Sequence, residues 1–369
     1  MSRTNKVGVW SLLMCAGLLC AASVQAQVSR FDPSALVRLG DKMRYGTYTI
    51  FKIGDGVFQI NDRDTVQRDS TAPQGSDMYL IVGTKSALLI DLGNNYVTGV
   101  RSQNLNPRKN AAEEFRAMVF GLAGKRHVDV ALSHDHVDHT GMTAAMIYPN
   151  VTLWASDLET LSALKEQHGI DPSVFKRFAS GTKVFDLGGG RVVTTHLTAG
   201  HTPGSTTYIL RQQGLVFTGD AWGVGFGLGI RSVDQLKVFA ADSQKFVEYI
   251  KANFPPYERY ALRVYPAHSR YVGTMPFRDD KIPYYDGGYY DWRWLQEMSA
   301  AANGVLKGLW LQEGSGMRAE TAQMPNASAT PAAEKQYTMV YGTGSINLPL
   351  KMAYEAAGIK MPADGKPAQ

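Results

Sequence analysis

The chain has 369 residues, of which 44% are hydrophobic, and its formal net charge is +5. This composition supplies enough apolar material for one large domain, with or without an extension, and excludes a collagen-like or wholly disordered chain. The positive charge is too weak and too dispersed for a nucleic-acid-binding protein, so we expect no nucleic-acid partner.

The N-terminal segment has the pattern of a secretory signal peptide. Arg3 and Lys6 precede an uncharged apolar stretch over residues 7–22, and Val24-Gln25-Ala26 has the form of a cleavage site. The stretch is short for a membrane-spanning helix, which is the alternative interpretation. We therefore predict a signal peptide over residues 1–26, cleaved after Ala26. The mature protein is then periplasmic or secreted and has no stable membrane anchor.

Both cysteines of the chain, Cys15 and Cys20, lie inside this segment. The mature chain is therefore expected to contain no disulfide and no thiolate ligand for a metal. Cys15 follows Met14 and Cys20 follows Leu19, whereas a lipoprotein needs a small residue before its cysteine. Removal of Arg3 and Lys6 lowers the net charge from +5 to +3.

The first half of the mature chain combines strand patterns with helical spacing. β-type patterns cover residues 48–53, 57–60, 78–82, 87–90, 128–132 and 151–155. Helical spacing covers residues 111–125, 142–147 and 157–167, and Asp157 is the predicted N-cap of the last helix.

Strand patterns return over residues 183–217, before a helix over residues 233–252 and a strand over residues 261–265. Strand groups alternate with helix groups and no βαβ unit repeats, which favours an α+β fold with two sheets sandwiched between helices. Farther along, a helix is predicted over residues 292–311 and a polar loop or linker over residues 312–335. Aromatic residues precede and begin that helix: Tyr284, Tyr285, Tyr289, Tyr290, Trp292 and Trp294.

Residues 134–139 contain three histidines and two aspartates, directly after an apolar strand. Neutral imidazole and carboxylate groups both coordinate metals such as zinc. Because the side chains at a strand end can converge on one point, His134 and His136 can bind one metal. Asp138 and His139 follow in the loop and can bind a second one.

Three further candidate ligands follow predicted strands. His201 lies in a turn bounded by glycine and proline, and Asp220 and His268 each come directly after an apolar strand. Strand ends along one edge of a sandwich converge, so these side chains can share a site with the residue 134–139 cluster. The remaining histidines lack such a motif and are expected at the surface or at strand ends: His127, His168 and His196.

The combined pattern resembles the metallo-β-lactamase superfamily over roughly residues 45–270. The matching motifs are His134-x-His136-x-Asp138-His139, His201, Asp220 and His268, in the family's order. The resemblance implies a four-layer αββα sandwich over residues 27–275, with a C-terminal aromatic and helical extension and a polar tail over residues 276–369. It also implies two zinc ions, although iron or manganese suits a His/Asp site as well.

The resemblance further implies how the ligands are shared. His134, His136 and His201 would hold one metal, while Asp138, His139 and His268 would hold the other, with Asp220 bridging the two. Asp91, at the end of a predicted strand, resembles an aspartate that the family places near its site. It would orient a ligating imidazole, although a plain turn aspartate before Gly93 would show the same pattern.

Such a site predicts a hydrolase in which a hydroxide bound by two metals attacks an ester-like bond of a small molecule: a lactone, thioester, ester or lactam. Asp138 is the candidate catalytic group that accepts a proton. A mononuclear iron dioxygenase of the persulfide type on the same fold is the alternative. A non-catalytic metal-binding protein is a third hypothesis. Branches of the family with a cysteine ligand are excluded, because the mature chain has no cysteine.

Tyr289 and Tyr290 are candidates for the lining of a substrate pocket, since a tyrosine hydroxyl can stabilise a developing oxyanion. The competing interpretation is that these aromatic residues pack the C-terminal helix onto the sandwich.

Cleavage after Ala26 predicts a mature chain that begins at Gln27. We expect the intact mass of the protein recovered from an exporting bacterium to equal that of residues 27–369. Recovery of the full-length chain in the membrane fraction would favour the membrane anchor instead.

Overall fold

The computed structural model describes residues 30–62, 75–99, 106–179, 181–223, 227–269, 288–321 and 336–363. The predicted signal peptide, Tyr284, Tyr285 and the proposed boundary between residues 275 and 276 lie outside these ranges. Within them, no helix is both long enough and apolar enough to cross a membrane.

Eight strands form the first sheet in their chain order. They are β1 Lys42–Tyr45, β2 Tyr48–Gly54, β3 Val57–Asn61, β4 Asp77–Val82, β5 Ser86–Ile90, β6 His127–Ala131, β7 Val151–Ser156 and β8 Phe175–Phe178. Strands β1 to β5 form an antiparallel meander, whereas β5 to β8 run parallel. Parallel neighbours need crossover connections, and these contain α1 Ala111–Ala123, α2 Val137–Thr140, α3 Thr143–Met146 and α4 Ser162–His168.

The second sheet has five strands in the order β14-β12-β11-β10-β9. They are β9 Val184–Gly188, β10 Arg191–Leu197, β11 Thr206–Leu210, β12 Leu215–Gly219 and β14 Arg263–Pro266. Only β12 and β14 run parallel to each other. Their connection contains α5 Val233–Asn253, which begins at the N-cap Ser232, and α6 Pro256–Tyr260.

A third sheet of four strands, in the order β13-β17-β16-β15, is built mostly from the C-terminal part of the chain. Its strands are β13 Leu228–Gly229, β15 Met317–Thr321, β16 Gln336–Tyr341 and β17 Gly344–Pro349, and its helices are α7 Trp292–Leu306 and α8 Leu350–Ala356. Strand β13 pairs with β17. The segment that follows β12 is therefore hydrogen-bonded to the C-terminal extension.

Strand β4 shows how the sequence produces the layers. All six of its residues are buried, and successive side chains of a strand point to opposite faces of the sheet. Met78 and Leu80 pack in a cluster with α1, whereas Tyr79 and Ile81 pack between the two large sheets.

The outer face of the second sheet is covered by a third apolar cluster. This cluster joins the second sheet to α5, α7 and the C-terminal sheet through residues such as Val216, Phe239, Met298 and Ile346. The predicted αββα order of layers is thus confirmed.

The predicted helix over residues 157–167 is wrong at its start. Asp157 is not the N-cap, because α4 begins at Ser162 after Leu161, whose φ is 56°. The backbone N–H of Asp157 donates to Phe178 O, and that of Leu161 donates to Asp135 Oδ2. These long-range bonds hold residues 157–161 in a turn.

Other elements also differ from the prediction. The crossovers β5-α1-β6, β6-α2-α3-β7 and β7-α4-β8 are successive βαβ units, which were not expected. Strand β15 lies inside the predicted linker over residues 312–335, and β16, β17 and α8 were not among the predicted elements. Helix α7 ends at Leu306, shortly before Gly308, which has φ of 64°.

The three histidines without a motif occupy different environments. His127 begins β6 and His196 lies near the end of β10. His168 departs from the expectation, because it ends α4 and its ring nitrogens lie 2.8 Å from Asn95 Nδ2 and 3.1 Å from Thr140 Oγ1.

His196 gives the fold a defined response to acid. Its ring packs against Phe246 and Tyr249 of α5, and burial lowers its pKa from 6.5 to about 4. As the pH falls from 6.5 to 4, the unfolded chain binds a proton that the folded chain excludes. The free energy of unfolding should therefore fall by up to about 3 kcal/mol in this window.

We expect His196→Phe to flatten the pH dependence of the free energy of unfolding between pH 6.5 and 4. Urea titrations of metal-depleted protein at several pH values measure this slope. Thr194→Val is the matched control, since it removes the hydroxyl 3.1 Å from His196 Nε2 but leaves the imidazole. An unchanged slope in the phenylalanine variant would contradict the assignment.

Candidate metal centre

The candidate ligands of the first sheet lie where its parallel strands end. Ile90 pairs with Ala131 in the β5/β6 register, so Asp91 and the segment beginning at Ser133 leave the sheet at the same edge. The short helix α2 follows at once and carries Asp138 and His139.

The second sheet brings its candidate ligands to the same place. Gly219 pairs with Pro266 in the parallel β12/β14 register, and Asp220 and His268 follow these two residues closely. His201 lies in the turn between β10 and β11. The two sheets are joined here, because Thr206 N donates to Ser133 O at 2.8 Å.

One group of candidate ligands consists of three imidazoles. His136 Nδ1 lies 3.1 Å from His134 Nε2 and 3.0 Å from His201 Nε2. Two ligands of a tetrahedral zinc ion with bonds of about 2.0–2.1 Å lie about 3.3–3.4 Å apart. The observed separations are close to this value, so the three nitrogens fit around one ion.

A second group combines Asp138, His139 and His268. Asp138 Oδ2 lies 3.4 Å from His268 Nε2 and 3.7 Å from His139 Nε2. His139 and His268 are buried. Two imidazole nitrogens and a carboxylate oxygen again suit a zinc-like metal.

Asp220 lies between the two groups. Its Oδ2 atom is 3.3 Å from His268 Nε2 and 3.7 Å from His139 Nε2 on one side. On the other side it is 3.7 Å from His201 Nε2 and 4.0 Å from His134 Nε2. A single carboxylate is thus within reach of both groups.

The buried carboxylate of Asp91 orients imidazoles of both groups. Its Oδ2 lies 3.0 Å from His139 Nδ1 and accepts a hydrogen bond from Ser133 Oγ at 2.7 Å. The Ser133 hydroxyl has only one hydrogen, so it accepts from His134 Nδ1 at 3.0 Å. Both imidazoles therefore carry their proton on Nδ1 and direct Nε2 toward the centre.

His268 is oriented by a different set of partners. Its Nδ1–H donates a hydrogen bond to the carbonyl oxygen of Gly75 at 2.9 Å. The carboxylate of Asp77, the first residue of β4, accepts from the backbone N–H of Ser269 at 2.5 Å. Asp77 N in turn donates to Ala267 O at 2.6 Å. The first sheet therefore fixes the backbone on both sides of this ligand.

The first group favours neutral imidazoles. Burial lowers the pKa of all three histidines, and the neighbouring His139 lowers the pKa of His134 and His136 further. The pKa of His201 falls to about 4, mainly because the ring is buried. A neutral imidazole has the free lone pair that a metal needs.

In the second group, the pKa values of the two histidines are raised instead of lowered. Burial lowers the pKa of His139, but the carboxylates of Asp138, Asp91 and Asp220 outweigh it and hold the pKa well above its usual range. The same competition, with Asp220 as the main carboxylate, raises the pKa of His268 to about 9. Burial raises the pKa of Asp220, but His268 and His139 hold it well below its usual range.

Two buried atoms support a metal at this position. Among the described residues, neither His139 Nε2 nor Asp220 Oδ1 has a hydrogen-bond partner. Buried polar atoms without partners are costly in an apolar interior. Coordination of a cation by these residues would remove that cost, so the donor set fits a resident metal.

Gly219 shows how tightly the centre is packed. Its φ is 54°, and a Cβ atom at this position would lie 2.3 Å from Ser133 Oγ. Any side chain here would displace the hydroxyl that orients His134.

Tyr289 and Tyr290 contact β14 and neighbouring aromatic residues. Tyr290 pairs with Val264 through backbone hydrogen bonds and stacks on Trp294 at 4.1 Å. Tyr289 lies beside Tyr265 at 5.5 Å. This arrangement agrees with the packing interpretation of these aromatic residues, and their role in a pocket stays a prediction.

The sequence analysis assigned no role to Ser133 or Asp77. The sequence could have marked both as candidates, because Ser133 directly precedes the first candidate ligand and Asp77 is an acidic residue at the edge of an apolar strand. Their hydrogen-bond partners are distant in sequence, and only the fold reveals them.

Comparison with known proteins gives one match to a family model and similarities to solved structures. Residues 71–232 match the family model of the metallo-beta-lactamase superfamily. No match was found among the curated proteins.

Three metallo-β-lactamases are among the solved structures that are similar to this chain. The enzyme from Erythrobacter litoralis is 20% identical, with 62% of this chain and 92% of that chain covered and a TM-score of 0.43. The enzyme from Pontibacter korlensis is 16% identical, with coverage of 68% and 95% and a TM-score of 0.45. The DIM-1 enzyme is 14% identical, with coverage of 71% and 99% and a TM-score of 0.46.

We expect Asp91→Asn to weaken metal binding about 10–100-fold, because the amide is a poorer partner for His139 and Ser133 than the carboxylate. Competition with a chromogenic chelator measures this affinity. The matched control is Asp129→Asn on β6, whose carboxylate accepts from Trp154 Nε1 at 2.8 Å. Unchanged binding in the Asp91 variant would show that this carboxylate does not orient the ligands.

Proposed function

Because residues 71–232 belong to the metallo-β-lactamase superfamily, we propose that the chain is a metallo-hydrolase with two zinc ions that cleaves an ester-like bond. The substrate class comprises small lactones, thioesters, esters and lactams. The observation that carries the proposal is the position of Asp220 Oδ2, within 4.0 Å of an imidazole nitrogen of each ligand group.

The residues divide the work of such a site. His134, His136 and His201 would hold one ion, and Asp138, His139 and His268 the other, with Asp220 shared. When bound, two such ions would lower the pKa of a coordinated water toward 7, which would supply a nucleophile at neutral pH.

Asp138 is the best candidate for moving a proton. Its carboxylate is partly exposed, whereas Asp91 and His139 are buried behind it. It can therefore reach a reacting molecule as well as the ligands, and it would accept the proton released during hydrolysis.

A mononuclear iron dioxygenase is the second candidate. Two imidazoles of the first group and Asp220 form the two-histidine, one-carboxylate set that suits non-haem iron. Such an enzyme has no need of Asp138, His139 and His268 as a second ligand set. Their convergence therefore favours the dinuclear hydrolase.

The site of action follows from the N-terminal pattern. We propose that the protein is exported and acts on a small molecule in the periplasm or the medium. The apolar stretch over residues 7–22 and the cleavage pattern that ends at Ala26 support this proposal.

Elemental analysis of protein purified without added metal tests the proposal. We expect about two zinc ions per chain, together with hydrolysis of at least one substrate in a panel of lactones, thioesters, esters and β-lactams. Asp220→Asn should lose the second ion and reduce hydrolysis at least about 100-fold. Asp186→Asn, an exposed aspartate of β9 that pairs with Lys85, is the control.

Two results would overturn the dinuclear hydrolase. About one iron per chain, with oxygen uptake on addition of a persulfide, would identify the dioxygenase. Full two-metal occupancy in the Asp220 variant would show that this carboxylate is not shared.

A further inference from the structure

Glu159 lies in the turn between β7 and α4, outside the candidate ligands, and only 3% of its surface is exposed. Its Oε1 accepts a hydrogen bond from the hydroxyl of Thr202, the residue after His201. Thr202 N also donates to Ser205 Oγ at 3.0 Å. Glu159 is therefore bonded to the turn that carries one ligand of the first metal.

The same turn is also hydrogen-bonded to the loop that carries the other two candidate ligands of that metal. Asp135 lies between His134 and His136 and is buried. Its Oδ2 accepts from Thr160 Oγ1 at 2.9 Å and from Leu161 N at 2.8 Å. Residues 159–161 thus contact both ligand loops of the first group.

Steric contact reinforces these bonds. A Cβ atom on Gly204 would lie 2.8 Å from Glu159 Cγ and 2.7 Å from Ser156 Oγ. The turn after β7 and the His201 turn therefore touch with no room for a side chain between them. Arg177 of β8 donates to the backbone oxygen of Glu159 and fixes the turn from its other side.

Glu159 also lies close enough to Asp135 for the two carboxyl groups to interact: burial raises the pKa of Glu159 to about 8, the Thr202 hydroxyl opposes this shift, and the Asp135 carboxylate adds to it. The hydrogen bonds that join the two loops come from neighbouring residues of one turn. Glu159 bonds to the His201 turn through Thr202, and Thr160 and Leu161 bond to the His134/His136 loop through Asp135.

We propose that Glu159 is a positioning residue for the first metal, which sets the distance between His201 and the His134/His136 pair. The inference rests on the proposed function, since it presumes that this group binds a metal. Ligands must be held within about 0.5 Å of their productive positions. A turn that is hydrogen-bonded to both loops, through Glu159 on one side and Thr160 and Leu161 on the other, can supply this precision without touching the ion.

Glu159→Met and Glu159→Gln test the role. Methionine keeps the length but removes the acceptor for the Thr202 hydroxyl, whereas glutamine keeps an acceptor there. We expect the methionine variant to bind Co²⁺ at the first site about 10–100-fold more weakly, with an altered visible d–d spectrum. The glutamine variant should restore both properties nearly to wild type.

Asp242→Met is the matched control. Asp242 is a buried carboxylate of α5 that pairs with Lys245 at 2.9 Å. Its replacement should change the midpoint of thermal unfolding but leave the Co²⁺ affinity and spectrum unchanged. Should Glu159→Met fail to fold, Thr202→Val removes the same hydrogen bond from its other end and should weaken Co²⁺ binding in the same direction.

The outcomes separate the inference from the function on which it rests. Wild-type affinity and spectrum in a folded Glu159→Met protein would overturn the positioning role, as would an equal loss in the glutamine variant. Absence of metal binding in the wild-type protein would instead overturn the proposed function, whatever the variants do.

Discussion

The hydrogen bonds of Asp91 connect one imidazole of each ligand group to the first sheet. This buried carboxylate holds His139 directly and His134 through Ser133, so the two ligand groups share one anchor. Asp91 adopts a φ of 64°, a left-handed conformation that costs of order 1 kcal/mol or more for a residue other than glycine. The parallel pairing of β5 and β6 brings this residue to the same edge as the ligands that it orients.

The two groups that share this anchor differ in charge. Burial lowers the pKa of the imidazoles in the first group, whereas the carboxylates around the second group raise the pKa of its imidazoles. A metal that binds the second group competes with protons for the same nitrogens, so its binding is linked to pH more strongly than binding to the first group.

The sequence predicted the four layers and the proximity of the candidate ligands, because most of these residues follow an apolar strand and the strand pattern is local. The sequence-based prediction was wrong where an element depends on hydrogen-bond partners that are far away in the sequence. Asp157 resembles a helix cap, but Asp157 N donates to Phe178 O and Leu161 N donates to Asp135 Oδ2 instead. Strand β13 has only two residues and exists because β17 pairs with it, so no local pattern could reveal it.

The pairing of β13 with β17 has a consequence for the order in which the chain can acquire its structure. The segment after Asp220 is synthesised long before its partner strand, and the cluster around α5 also needs Met339, Ile346 and Leu348 from near the C-terminus. The apolar cluster on the outer face of the second sheet is therefore complete only after β16 and β17 have been synthesised. The C-terminal extension is a late but integral part of this apolar cluster, so a chain interrupted before β16 would leave the second sheet, which carries Asp220, without its complete cover.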